Sequence, residues 1–300
     1  MSAGSSMRGG KLVLVVLLAL GGALAKILGG VLYGSRALMV DALTSVANLL
    51  ALGGTIYYYR KSLVPPDEDH HYGHYKLSLG GAFVTLITYS FVAGLAVAEI
   101  LFAGEYSVDV RAPAAAAVGM LFYGGAIVVA RSAGSFFAPY SVFTASELIE
   151  GATVLGASLG GALLSYAIDL AGACVITLYL FYELYDVSRD FMERVGDVAP
   201  PTSIVRKVVS EVEKIPGVKV KRLRLRYVAA GRYQGDIVVG VDPKKSVGEA
   251  HAISNKIEEV LSKRFGIDVV VHIEPVDLFE AEAGDEREGL KLEYDEPRED

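Results

Sequence analysis

Residues 67–76 read DEDHHYGHYK and gather His70, His71 and His74, three of the five histidines in the chain, beside the carboxylates Asp67, Glu68 and Asp69. Imidazole and carboxylate are ligands for divalent metals, and imidazole also exchanges protons near neutral pH. A solvated acidic loop accounts for the carboxylates but less well for three histidines so close together. A second set of residues stands inside an apolar stretch. Asp41, Thr44 and Asn48 fall at i, i+3 and i+7, so a helix over this stretch stacks three oxygen-bearing side chains on one face. Glu147 and Glu150 lie in another apolar stretch, and Lys26 in a third. Ionisable groups at such depth cost about 2.5–3.5 kcal/mol each on insertion scales and mark functional positions. Glu99, Glu183 and Asp186 fall near the ends of apolar stretches, where reaching for the headgroups explains them.

The elements that must position these residues follow from the distribution of apolar side chains. They make up 52% of the 300 residues and concentrate before residue 200. A helix needs about 20 mostly apolar residues to cross the hydrocarbon of a bilayer. Six segments satisfy this: 12–34, 37–59, 79–103, 112–131, 143–166 and 168–188, the last two joined only by the tight turn YAID. No small-residue cleavage pattern follows the first, which reads as a retained span. With both termini cytoplasmic, the inner flanks hold Arg8, Lys11, Arg60, Lys61, Lys76, Arg131, Arg189 and Arg194, against Arg36 and Arg111 outside. The asymmetry of basic residues sets that orientation and puts the histidine loop in the cytoplasm.

After Pro200–Pro201 the pattern changes. TSIVRKVVSEVEKI has helical periodicity behind a Ser/Thr cap, VKVKRLRLRYV alternates as a strand with a cationic face, and AAGRYQ is a turn. GDIVVGVD is a second strand, SVGEAHAISNKIEEVLSKRF a second helix and IDVVVHIEP a third strand. The order αββαβ predicts a small α+β, ferredoxin-like sheet with both helices on one face. Domains are expected at 1–198 (six spans), 199–277 (α+β) and 278–300, where ten Asp/Glu against three Lys/Arg read as a solvated, disordered tail. The net charge of −7 resides in that tail, and nothing points to nucleic acid. The single cysteine, Cys174, excludes a disulfide framework or a Cys-type zinc site. No nucleotide-binding or familiar hydrolase motif occurs, so an enzyme is not expected.

The chain resembles the cation diffusion facilitator (cation efflux) family of metal/proton antiporters over residues 10–277. GSRALMVDALTSVANLL is similar to that family's second span, YGHYKLSLGGAF to its entry to span three, and SVFTASELIEGATVL to its fifth span. VDPKKSVGEAHAISNKIEEVL followed by VVVHIEP is similar to its cytoplasmic domain. The resemblance implies a homodimer in the cell membrane that exports a divalent metal ion (Zn, Mn, Fe or similar) against proton influx, with lipid around its spans. It also implies three metal sites. The first is the transport quartet on spans two and five, whose positions are occupied by Thr44, Asn48, Ile149 and Thr153, none a usual zinc ligand. Asp41, Glu147 and Glu150 are the nearby carboxylates. An oxygen-rich set of this kind suits a hard ion such as Mn²⁺ or Mg²⁺. On a helical wheel Glu150 lies about 65° and Glu147 about 125° from the centre of the Ser146/Ile149/Thr153 face. The second site is Asp67, His70 and His74, ended off from span two by Pro65 and Pro66. The third bridges dimers through His251, His272 and Glu274, with Lys221 and Val238 at two further ligand positions; a packed histidine is an equal reading of His251. The alternative function is a non-transporting, membrane-anchored, metal-responsive or scaffold protein with the same fold.

Overall fold

A computed structural model describes residues 3–132 and 138–276, with side chains at 10, 11, 13–129 and 148–276. Six helices precede the α+β region: α1 (Ala3–Tyr33), α2 (Arg36–Ser62), α3 (Gly80–Leu101), α4 (Ala112–Ser132), α5 (Ala138–Leu163) and α6 (Tyr166–Val195). Five segments among the described residues are long and apolar enough to cross a membrane. α5, the remaining helix of the six, holds the shorter apolar stretch Leu148–Leu163. Leucines such as Leu17, Leu24, Leu28 and Leu32 point outward along α1, while the interior is lined by small residues. Lipid tails are as apolar as leucine, so these helices associate through close packing rather than through water exclusion. A Cβ on Gly22 would stand 2.7 Å from the Tyr123 ring, and one on Gly29 2.5 Å from Ala115 Cβ. The glycines of α1 therefore let side chains of α4 pack directly on its backbone.

α1 ends at Gly34, whose left-handed φ of 68° turns the chain into α2. Glycine is required there on two counts, since a Cβ would also strike the Ser107 carbonyl at 2.6 Å. Ser35 caps α2 through the Leu38 amide. One expectation is corrected here. YAID is not a connector, because only Leu164–Ser165 separate α5 from α6 and Asp169 lies inside α6. Asp169 is fully buried and accepts from Ser35 Oγ at 2.6 Å, from the amides of Arg36 and Ala37 at 2.7 and 3.3 Å, and from Tyr106 Oη at 3.0 Å. Its carboxylate thus compensates the positive end of a different helix, α2. Glu99, read as a headgroup contact, instead hydrogen-bonds Arg36 across α2 and α3.

The second compact unit begins near Met192. It contains α7 (Thr202–Val212), β1 (Lys219–Ala229), β2 (Arg232–Val241), α8 (Val247–Phe265) and β3 (Ile267–Pro275). β1 and β2 pair antiparallel from Lys219↔Gly240 to Ala229↔Arg232. β2 and β3 pair parallel from Tyr233↔Ile267 to Val241↔Pro275, with α8 as the crossover. The turn is shorter than AAGRYQ suggests, because Arg232–Gln234 already belong to β2. α7 also lacks the expected Ser/Thr cap. Pro201 holds that position, and its fixed φ suits the entry to a helix. Both helices cover one sheet face. Val208 and Val212 of α7 and Ile257 and Leu261 of α8 pack on Ile237, Val239, Ile267 and Val269. The opposite face carries charge, including Arg224 with Asp236 at 3.0 Å and Lys221 with Glu274 at 3.0 Å.

Candidate metal pathway and metal centre

α2 and α5 meet at the depth where the sequence places its intramembrane carboxylates. Thr44 Oγ1 lies 3.2 Å from Glu150 Oε2 and donates to the carbonyl of Asp41 at 2.9 Å. Glu150 is 4% exposed, whereas Ile149 is 67% exposed. The described part of α5 is therefore turned so that Glu150, not Ile149, faces α2. Val154 and Ala157 continue the inward face, packed on Ala37, Leu38 and Val40. Thr153 spends its hydroxyl on the carbonyl of Ile149 at 3.0 Å. Asn48 accepts a hydrogen bond from Tyr89 Oη of α3. The side chain of Glu147 lies outside the described residues.

Asp41 is fully buried and forms an ion pair with Lys26 of α1, Nζ to Oδ1 at 2.7 Å. Lys26 also donates to Ser45 Oγ at 2.9 Å. The sequence places Lys26 in an apolar stretch but carries no signal for Ser45. Nor does it carry one for Tyr89, which reads as an ordinary span aromatic.

The histidine loop is built from short-range constraints. Asp67 Oδ1 accepts from the amides of Asp69 at 3.1 Å and His70 at 2.8 Å, folding DEDH into a turn. Gly73, at φ 79°, reverses the chain and brings His74 back over His70, with ring centroids 4.1 Å apart. One ligand atom from each of Asp67, His70 and His74 then lies within 4.8 Å of the others. Among the described residues this is the one group of at least three such side chains that close. His74 Nδ1 lies 3.2 Å from the carbonyl of Pro65. A carbonyl brings no hydrogen, so that nitrogen carries the proton and Nε2 presents a lone pair, the arrangement common to histidine ligands. Nε2 in turn lies 3.4 Å from Asp67 Oδ2. Desolvation works to raise the Asp67 pKa but is outweighed. The His70 and Asp69 amides, the His70 ring and the nearby His74 together hold it below its ordinary value. His71 stands exposed outside the group.

In the α+β unit, His272 Nε2 lies 3.4 Å from Glu274 Oε1, and Glu274 also takes the Lys221 ammonium at 3.0 Å. His251 is exposed and 3.2 Å from Asn255 Nδ2. It is not a packed core histidine, because Ile257 and Leu261 form the buried face of α8. Within one chain, His251, His272 and Glu274 do not converge as Asp67, His70 and His74 do.

Comparison with known proteins agrees with the division into spanning helices and an α+β unit. The cation efflux transmembrane domain matches residues 12–193, and the cation efflux protein cytoplasmic domain matches residues 200–276. Among characterised relatives, the manganese efflux system protein MneS of Bacillus subtilis is 26% identical over 264 residues, covering 84% of this chain and 90% of that one. The cation-efflux pump FieF of Pectobacterium atrosepticum is 26% identical over 258 residues, covering 81% and 84%. The magnetosome protein MamM of Magnetospirillum gryphiswaldense is 25% identical over 248 residues, covering 76% of each. With spanning helices and an αββαβ unit matched from residue 12 to residue 276, the chain belongs to the cation efflux family, a multi-pass membrane protein of divalent-cation transport.

Proposed function

We propose that this chain exports a divalent metal cation through a site between α2 and α5 formed by Thr44, Asn48 and Glu150. The observation that carries the reading is the buried Glu150 carboxylate turned onto Thr44. A carboxylate with hydroxyl and amide oxygens favours a hard cation, and Mn²⁺ is the cargo we assign. The likeness to a manganese efflux system protein supports that choice. Proton influx drives export: a carboxylate in a desolvated cavity binds either a proton or a metal ion, and rocking of the helices exposes it to each side in turn. Both termini are cytoplasmic, and the chain works as a homodimer in the cell membrane through its α+β unit, residues 199–277. Asp67, His70 and His74 form a second, cytoplasmic metal site. His251, His272 and Glu274 are the remnant of a third, between protomers.

The test is Mn²⁺ uptake by liposomes holding the full chain under an imposed pH gradient. Glu150→Gln keeps shape and hydrogen bonding and removes the charge. The expected outcome is a folded dimer whose uptake falls at least about tenfold, the effect of 1.4 kcal/mol of lost coordination. Uptake at the wild-type rate refutes the site. The competing reading, a membrane-anchored metal-responsive protein, is favoured by one observation, the engagement of Asp41 by Lys26. Metal binding by the loop with no uptake by the wild-type chain decides for it.

A further inference from the structure

At the end of the bundle where α2 begins and α3 ends, a cleft of about 400 Å³ lies between the two helices. Met39, Leu43, Leu95, Ala98 and Phe102 line it together with Arg36 and Glu99. Phe102 is 84% exposed, so the cleft is open at the surface of the bundle, where a spanning helix meets lipid. Arg36 and Glu99 hydrogen-bond one another, but the bond uses only Nη1 of one and Oε2 of the other. Among the described residues, the remaining guanidinium nitrogens and Glu99 Oε1 have no hydrogen bond. The two side chains are 33% and 31% exposed, so each has room for a further partner without parting from the other. The Tyr106 ring, 5.5 Å from Arg36 Cζ at its centroid, backs the guanidinium. Glu99 stands in the last turn of α3, where the helix dipole favours a cation and disfavours a carboxylate.

A guanidinium and a carboxylate side by side, beside apolar side chains, complement a molecule that joins an anion, a nearby cation and a hydrocarbon chain. We propose that the cleft binds a phospholipid with a primary-amine headgroup, a phosphatidylethanolamine. Its phosphate accepts from the remaining N–H groups of Arg36, in the fork geometry that guanidinium offers to phosphate. Its ammonium donates to Glu99 Oε1 and meets the negative end of the α3 dipole. An acyl chain lies along Met39, Leu43, Leu95 and Phe102. A choline headgroup has no N–H to give the carboxylate, and an anionic glycerol headgroup brings it no cation, so both bind less well. The inference concerns the lipid-facing surface of the bundle and does not rest on the transport site.

The experiment incubates the purified, delipidated full chain in one detergent with equal amounts of phosphatidylethanolamine, phosphatidylcholine and phosphatidylglycerol of identical acyl chains. Retained lipid is counted by native mass spectrometry. Wild type is expected to keep the ethanolamine lipid about tenfold over the other two, within what one charge-assisted hydrogen bond supplies. Glu99→Gln keeps the shape and removes the charge, and should bring the ethanolamine and choline lipids level. Ala98→Phe leaves both charges in place and fills the cleft, and should abolish the preference. Arg111→Ala, outside the cleft, should retain the wild-type pattern. Equal retention of the three lipids by wild type overturns the inference, as does a preference that survives in either Glu99→Gln or Ala98→Phe. A wild-type dimer that keeps no lipid puts a second copy of the chain over the cleft and overturns it too. If Glu99→Gln does not assemble, Ala98→Phe decides on the same terms.

Discussion

Replacing Asp169 by alanine removes the acceptor on which two separate segments converge. Ser35 Oγ, the amides of Arg36 and Ala37, and Tyr106 Oη all donate to its carboxylate. Hydrogen bonds to a charged group contribute about 1.5–3 kcal/mol each, but such contributions do not add where partners share one acceptor. Taking away one member of a buried charged network costs about 3–5 kcal/mol, because the remaining groups stay desolvated. For a unit of this size that corresponds to a fall in unfolding temperature of about 10 °C. Asp169→Asn keeps one oxygen acceptor and loses the charge opposite the α2 amides, so its loss should be near half. Arg111→Ala, which breaks an exposed pair with Asp109 at 2.8 Å, should shift the transition by about a degree or less, since exposed pairs add little to stability. The assay is thermal unfolding of the purified full chain in one detergent, with all variants side by side. The rank Ala, Asn, Arg111→Ala carries the reasoning. An Asp169→Ala transition within about 2 °C of wild type, well under the 3–5 kcal/mol expected, refutes it.

Two further outcomes follow from the remaining sites. The triple change of Asp67, His70 and His74 to alanine should leave the fold intact and remove one bound divalent metal per chain, measured by metal analysis after dialysis at equal free Mn²⁺ or Zn²⁺. Because a ligand must be deprotonated to hold a metal, wild-type binding at this loop should weaken as the pH falls; unchanged stoichiometry in the triple variant would show a solvated linker. At α8, Glu249 accepts from the Ser246 amide and hydroxyl, and those bonds hold its pKa below the ordinary 4.5. A depressed folded-state pKa contributes stability above the unfolded value, lost as pH falls through the folded one. Amide protection factors in the first turn of α8 should therefore drop below about pH 4.5 in the wild-type chain, and a drop of the same size in Glu249→Gln would disprove the cap's part in it.

Much of the fold was legible because period and length carry it. β3 begins and ends where the alternation IDVVVHIEP does, and each expected span overlaps its helix, although α1 begins nine residues before residue 12 and α6 runs seven past residue 188. What failed was local chemistry answered at long range. Asp in YAID reads as a turn former, since an aspartate commonly satisfies its own backbone. Here its partners lie 133 positions away in Arg36 and 63 away in Tyr106, and no local pattern announces them. The facing of α5 shows the same limit. A wheel gives angles between Ile149, Glu150 and Thr153 but not the rotation of the helix against α2, which packing of Val154 and Ala157 decides. The histidine loop was easier to read, because its turn is made by Asp67 and Gly73 within the same ten residues.

The glycine seam between α1 and α4 has a consequence for motion. Repulsion rises so steeply with overlap that a pair packed backbone to ring, as Gly22 is on Tyr123, has almost no freedom to slide. The pair travels as one body. A comparable pin holds α6 to α5 near Asp169, where a Cβ on Gly172 would come within 2.2 Å of Ala157 Cβ. Between α2 and α5 the contact described at the proposed site brings the Thr44 hydroxyl and the Glu150 carboxylate to 3.2 Å. A Cβ on Gly151 of α5 would stand 2.6 Å from Met120 Cγ of α4, so the seam runs on from α1 through α4 and α5 to α6, and a tilt begun at one end of that row is carried along the whole of it.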